Sequence, residues 1–424
     1  MPRPLPRPRL RTSAAVFTTI SALAASSLAG VPSVAEPFST APCALTRTTA
    51  HHSEGLDTWN AAYPRPARSL DAVMIFLSFP DSRPLTTPAE LAADHFPATS
   101  DFFRRASYGR FTLRAHPLKR WIRMPKPSTS YAIQRDWNAE HRAAYLRDAL
   151  AAADPDVDFS RYDVVYLVAD PDAPGVDSDA TKVVNLDVPL RADGAAIRRV
   201  VTVFEQHPPD RLVLAHETGH VFDLPDLYHR PADGKGDWDT YVGDWDLMGS
   251  QFGLAPDLFG WHKWKLGWLQ PRQVVCVRDA GTTRLTLEPL GAGPGVPVTR
   301  ASGSPAFGLG NGTKLAVVRT GAGSALAFEA RGPVGDDAAA CRAGVLVYRV
   351  HSAADSGRGP VEVVDAHPRT EACWERSVYP PLADAPVAAG ESFTVPAVPG
   401  ERAVRVEVEG RTASGAWTVK ITPR

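Results

Sequence analysis

Beyond residue 31 the chain has no apolar run approaching the roughly 20 residues that a membrane-spanning helix needs, which excludes a helical membrane protein past the N-terminus. It also lacks a charge imbalance. With 46 basic against 47 acidic residues among 424, the formal net charge is -1, so no global field draws a nucleic acid or an anionic membrane, and any substrate must be recognised locally. Cysteines are few, four in all, and no two form a CxxC pair, which removes sulfur-ligated metal sites. No repeat of fixed period occurs, so solenoids and propellers are excluded.

The first residues carry the pattern of a secretory signal peptide over 1–35. Arg3, Arg7, Arg9 and Arg11 make a basic region, Ala14 to Val31 is mildly apolar, and Ser33, Val34 and Ala35 supply small residues for cleavage. Thr18, Thr19, Ser21, Ser26 and Ser27 make that apolar part a poor permanent span, so the mature protein is expected outside the cell with no stable membrane insertion. In an oxidising compartment an even number of cysteines reads as disulfides, and of the three connectivities the expected one pairs Cys341 with Cys373 and Cys43 with Cys276. Residues 36–68, rich in Thr, Ala, Pro and His with no sustained period, read as an extended leader or short pro-segment, and His51-His52 as a solvated pair.

Ala72 to Phe79 is a continuous apolar run ended by Pro80-Asp81, which suits a buried strand opening the folded part. Asp101 to Arg110 reads as an amphipathic helix closed by Gly109 and followed by a strand from Phe111 to Ala115; Asn138 to Ala153 reads as a second helix and Asp163 to Val168 as a second buried strand. Alternation of this kind predicts an α/β domain over 69–270, with helices covering a sheet. Asp170 to Gly194 is expected to be mostly loop, within which Lys182 to Val188 reads as an exposed edge strand able to hold an extended peptide. From 271 to 424 the texture changes to short β-rich segments, among them Lys314–Arg319, Ala325–Ala330, Val345–Val350 and Val404–Val408, which predict an antiparallel β-sandwich.

Between these halves lies RLVLAHETGHVFDLPD, Arg211 to Asp226. If Leu212 to Phe222 is helical, His216 and His220 stand one turn apart on one face, as two imidazoles binding a tetrahedral Zn²⁺ must, with Glu217 beside them as a base for a metal-bound water. A catalytic zinc needs a third protein ligand, and no glutamate occurs between Glu217 and Glu288. Asp226 is the expected ligand, because Leu224-Pro225 should end the helix and return the chain toward the metal. Asp223 is its competitor, with His229 and His262 as more remote choices.

At this point the sequence resembles the immune inhibitor A-like (M6) metallopeptidases, relatives of the metzincins. Their motif HExxHxxGxxD is matched by His216, Glu217, His220 and Asp226, and the resemblance extends to PDLY at Pro225–Tyr228, VGDWDLMGS at Val242–Ser250, SYGR at Ser107–Arg110 and LGW at Leu266–Trp268. It implies a zincin-like, metzincin-type catalytic domain and marks Met248 as an apolar floor beneath the metal. It also raises a structural Ca²⁺ in the loop carrying Asp233, Asp237, Asp239, Asp244 and Asp246, against a plain solvated acidic loop. Trp238, Trp245, Trp261, Trp264 and Trp268 read as core around the site. One position departs from the motif: Asp223 stands where the glycine belongs, and aspartate tolerates a positive φ better than most residues.

The expected function is that of a secreted zinc endopeptidase acting on protein or peptide substrates, with Glu217 moving the proton and Tyr228 or Tyr241 as donors to a developing oxyanion. Two other readings stand beside it: an inactive zincin-like binding or adhesion protein in which Asp223 has spoiled the site, and a zinc amidase acting on cell-wall peptides.

Overall fold

The expected opening strand is present as β1 (Ser69–Ser78) in the computed structural model, which describes residues 41–231, 234–278, 281–293 and 312–424; the expected signal peptide lies outside them. After β1 come α1 (Pro88–His95), α2 (Ala98–Ala106), β2 (Thr112–Arg123), α3 (Ala139–Ala153), β3 (Val164–Ala169), β4 (Lys182–Ala192), β5 (Ala195–Val203) and α4 (Val213–Val221). Local chemistry fixes several of these ends. Thr87 and Glu90 form a reciprocal capping box around Pro88 at the start of α1, and the Asn138 side chain accepts the N–H groups of Glu140 and His141 to begin α3.

The five strands form one sheet in the order β2-β1-β3-β5-β4, parallel except for β4, which runs antiparallel to β5 at the edge. Alternation along β1 and β3 splits the two apolar runs between the faces of this sheet. Val73, Ile75, Leu77, Val165 and Leu167 pack with Tyr145, Leu146 and Ala149 of α3. Ala72, Met74, Phe76, Tyr166 and Val168 pack on the opposite side with Phe102 and Phe103 of α2 and Leu214 and Ala215 of α4. The edge position of Lys182–Val188 agrees with its exposed composition, but β4 is longer than expected. Asp193 and Gly194, at φ 50° and 76°, make a tight turn into β5, which is additional to the expected strands.

Two further sheets follow α5 (Gly260–Lys265). One, β11-β10-β9-β8-β6, contains β6 (Val274–Val277), β8 (Leu315–Arg319), β9 (Ser324–Arg331), β10 (Gly344–His351) and β11 (Val361–Val363). The other, β12-β13-β14-β7, contains β7 (Thr283–Leu287), β12 (Ser392–Val395), β13 (Val404–Arg411) and β14 (Trp417–Pro423). All pairings in them are antiparallel except β6 with β8. The first sheet is buried on both faces. Ala316, Val318, Leu326 and Phe328 meet Val404, Val406, Val419 and Ile421 of the second sheet, while Leu315, Val317, Ala325, Ala327 and Tyr348 join the apolar cluster that holds α4. One core therefore runs from the metal-motif helix into the β-rich half.

Residues 41–68 form no helix or strand, yet they are packed into the body. Cys43, Ala44, Leu45 and Leu56 belong to the same cluster as α4, so the folded part does not wait for Ala72 to begin. Both expected disulfides are present, Cys43–Cys276 with Cα atoms 5.5 Å apart and Cys341–Cys373 at 6.1 Å. The first ties this segment to β6.

Candidate metal centre

All nine residues of α4 are buried, and the packing beneath the helix explains its glycine. A Cβ at Gly219 would stand 2.4 Å from the Met248 sulfur, so Met248 lies directly against the turn that separates the two histidines. Past Phe222 the helix closes through two bonds, Asp223 N–H to the His220 carbonyl at 3.1 Å and Leu224 N–H to the Gly219 carbonyl at 3.1 Å, with Asp223 at φ 66°. This is the left-handed helix end for which glycine is the usual residue, and aspartate fills it here.

The turn sends Leu224 and Asp226 back toward the helix. The His220 Nδ1–H donates to the Leu224 carbonyl at 2.8 Å, and the His216 Nδ1–H donates to the Leu247 carbonyl at 2.9 Å. Carbonyls only accept, so each neutral ring carries its proton on Nδ1 and presents a bare lone pair at Nε2. Those two nitrogens face Asp226 Oδ1, at 3.4 Å from His216 and 3.0 Å from His220. Three acceptor atoms thus converge with no proton among them, an arrangement that is repulsive until a cation enters. Where a proton is that cation, burial pulls the His220 imidazolium down, but the Asp226 carboxylate outweighs it and lifts the group to about 9. Burial likewise pushes Asp226 up, and the charge and hydrogen bonds of His220 and His216 reverse this and hold it well below the usual carboxylate range.

The donor set also fits zinc by size. Bonds of about 2.0–2.1 Å from a tetrahedral centre put neighbouring ligand atoms about 3.3 Å apart, and the observed separations are 3.4 and 3.0 Å. Among the described residues this is the one group of three or more His, Cys, Asp or Glu side chains whose ligand atoms converge in this way. It opens into a cleft of about 800 Å³, also lined by Glu217, Val183 and Tyr228. Glu217 Oε2 accepts the Val183 N–H of edge strand β4 at 2.7 Å, and burial pushes its carboxyl above the usual range against the pull of the two histidines. Tyr228, whose hydroxyl interacts with Asp226 and Glu217, is raised by burial first and by those carboxylates second.

The other sequence candidates fall elsewhere. Asp223 turns its carboxylate away from the histidines, to His52 Nδ1 at 3.0 Å and Arg47 at 2.6 Å. His52 is therefore not solvated: it is 3% exposed and its ring stacks 5.7 Å from His220, because a buried carboxylate at 223 needs partners. His51 is exposed, as expected of both. His229 and Tyr241 bond each other at 3.1 Å, and His262 is buried between Glu54 and Asp246. Asp244 and Asp246 are spent on hydrogen bonds to Leu254, Ser377, Val378, Met248 and Phe259, while Asp233 lies outside the described residues. Trp245, Trp261, Trp264 and Trp268 are core, but Trp238 lines the cleft, stacked 4.9 Å from the Arg135 guanidinium.

Sequence reasoning missed the outer contacts of Asp226. Its N–H donates to Ser356 Oγ at 2.8 Å, Ser356 Oγ donates to its Oδ2 at 3.0 Å, and the Gly357 N–H donates to its carbonyl at 2.9 Å. The loop supplying them is 130 residues away in sequence, and no motif announces it.

No family model matches the chain, and no curated protein matches it. Two solved structures of wild-type OgpA from Akkermansia muciniphila, in different crystal forms, align at 13% and 11% identity with TM-scores of 0.26 and 0.24. Each alignment covers 87% of this chain, and 96% and 95% of the respective OgpA chains. Scores this low establish no shared fold.

Proposed function

We propose that the protein is a secreted, zinc-dependent endopeptidase with a zincin-like catalytic half and a β-sandwich half, in which His216, His220 and Asp226 hold the metal. The observation that carries this reading is the convergence of two bare Nε2 lone pairs and Asp226 Oδ1, at 3.0 and 3.4 Å, on one point at the floor of an open cleft. When bound there, zinc supplies a Lewis acid that lowers the pKa of a water and polarises a scissile carbonyl.

The remaining work belongs to side chains and backbone. Glu217, its carboxyl raised by burial, takes the proton of the attacking water and returns it to the leaving amine, and the Val183 N–H holds its Oε2 at the cleft wall. The phenol of Tyr228, kept protonated, is the donor toward the developing oxyanion, whereas Tyr241 is occupied by His229. Because Val183 sends its N–H away from β5, alternation along the antiparallel pair points the N–H and C=O of Asn185 the same way, giving β4 an open edge for an extended peptide backbone. Export is supported by the basic-apolar pattern of 1–35 and by two disulfides, and no described helix is long and apolar enough to cross a membrane.

The test is hydrolysis of casein by purified protein with and without a chelator, alongside Glu217→Ala. The substitution should cut kcat by roughly 10²–10⁴-fold while leaving zinc bound. Casein cleavage that survives both chelation and this substitution defeats the reading, and zinc binding without any peptide hydrolysis favours the binding-protein alternative.

A further inference from the structure

We infer that Ser356, in the loop after β10, is a positioning residue for the metal ligand Asp226, so that the β-rich half supplies part of the metal centre. The inference rests on the zinc reading above and concerns how that site is held.

An aspartate carboxylate has a soft terminal torsion, broad and roughly two-fold, so Asp226 cannot set its own orientation. Both oxygens are equivalent until something distinguishes them. Ser356 does so with one hydroxyl whose two roles are fixed by its partners. The Asp226 N–H is a donor, so Oγ accepts from it at 2.8 Å; the hydroxyl proton is then left to point at Oδ2, 3.0 Å away. With Oδ2 engaged, Oδ1 is the oxygen presented to His216 and His220.

The loop is itself anchored. Gly357, at φ 72°, donates its N–H to the Asp226 carbonyl at 2.9 Å and accepts the Arg230 N–H at 3.4 Å. From behind, the 41–68 segment secures it: Thr48 Oγ1 and Ser53 Oγ both donate to the Ser352 carbonyl at 2.6 Å, and the His51 N–H donates to Asp355 Oδ1 at 2.8 Å. Three stretches remote in sequence therefore meet at one metal ligand. A loop serving only to cap the turn would need the Gly357 backbone contact; the Ser356 hydroxyl adds orientation of the carboxylate.

The experiment compares the full chain with Ser356→Ala, Ser356→Thr and Ser377→Ala, measuring zinc dissociation by competition with a chromophoric chelator, the visible spectrum of the Co²⁺-substituted protein, and Tm. Ser377 makes the matching bond to a buried aspartate that neither lines the cleft nor belongs to the converging ligand set, Oγ to Asp244 Oδ2 at 2.6 Å. Expected are a 10–100-fold weaker zinc affinity and an altered Co²⁺ spectrum for Ser356→Ala, as is usual when a group orienting a ligand is removed. Recovery toward the parent is expected for Ser356→Thr, and a lower Tm with parental zinc affinity for Ser377→Ala. Parental affinity and spectrum in Ser356→Ala overturn the inference, as does an equal zinc loss in Ser377→Ala. A parent protein that takes up no zinc instead overturns the zinc reading itself.

Discussion

Two of the histidine–carboxylate clusters among the described residues, one around His262 and one around His216 and His220, are wired in opposite ways. In the inner one, His262 sends Nδ1 to Asp246 at 3.1 Å and Nε2 to Glu54 at 2.8 Å, with all three side chains fully buried. Both ring nitrogens face carboxylates, so the ring is a doubly protonated cation and the cluster is satisfied as it stands. In the outer one, both histidines give their Nδ1 protons to carbonyls and share a single carboxylate oxygen. That cluster is short of a positive charge. What sets the candidate metal site apart is therefore not histidine beside acid but two histidines, each committed to a carbonyl through Nδ1, whose Nε2 atoms share one carboxylate oxygen.

The strongest way to break this contrast is to delete one ring from each cluster. His220→Ala should remove zinc and, with it, casein hydrolysis altogether, because two ligands do not hold a catalytic zinc against a chelator. His262→Ala should leave the zinc stoichiometry of the folded protein unchanged but cost about 3–5 kcal/mol of stability, since Glu54 and Asp246 are left as buried charges without their shared partner. Metal analysis and urea unfolding of both variants decide it; zinc loss from folded His262→Ala would falsify the division of roles. Between these lies the aspartate pair: Asp226→Ala should lose zinc and Asp223→Ala should keep it, the reverse result showing that the wrong carboxylate had been taken as ligand.

A smaller effect separates the clusters by pH. Burial pulls His262 down, but Glu54 and Asp246 overcome it and lift the ring to about 9 from 6.5. A raised folded-state pKa gives stability that is fully present below pH 6.5 and lost as pH rises through about 9. In the zinc-loaded protein the metal takes the place of the proton at His220, which leaves His262 as the raised imidazole, while Lys314, lowered by burial to about 8, acts in the opposite direction above that pH in the parent and in His262→Ala alike. The His262 share of the decline between pH 6.5 and 9 is at most about 1.4 kcal/mol per pH unit for one proton. Unfolding midpoints between pH 6.5 and 8 should fall for the parent and fall less steeply for His262→Ala; identical slopes would mean the ring is not the titrating group.

How far the two clusters could be read in advance follows from the range of the interactions. His216, Glu217 and His220 are set by helical spacing, and Asp226, six residues after His220, by the proline just before it, so the outer cluster lies within one short stretch of sequence. The same locality made β1, α3, β3 and most of the later strands legible, since each is written in its own apolar pattern. The inner cluster joins residues 54, 246 and 262, and the Ser356 contact spans 130 positions. Such pairings exist only once the sheets have stacked. His52 is of this kind: nothing near it in sequence shows that a carboxylate at 223 lies buried against it. The one local hint is that Asp223 stands where the motif it resembles has glycine, since a charge placed there must find partners.

That departure offers the finest test, because it separates backbone from side chain at one residue. The orientation of His220 depends on the Leu224 carbonyl, hence on the backbone of the turn, while the Asp223 carboxylate serves Arg47 and His52. Asp223→Gly and Asp223→Ala delete the same ion pairs, so that loss cancels between them. What differs is φ 66°, which glycine adopts freely and alanine only at a cost of about 1–2 kcal/mol. Asp223→Ala should therefore be less stable than Asp223→Gly by about that amount in urea unfolding, with Asp223→Gly retaining the parental zinc affinity. Equal stability of the two would mean that the turn relaxes out of its left-handed conformation once the carboxylate is gone. In that case the pull of Arg47 and His52, rather than the helix-ending hydrogen bonds, would be what sets the path of the chain from His220 to Asp226.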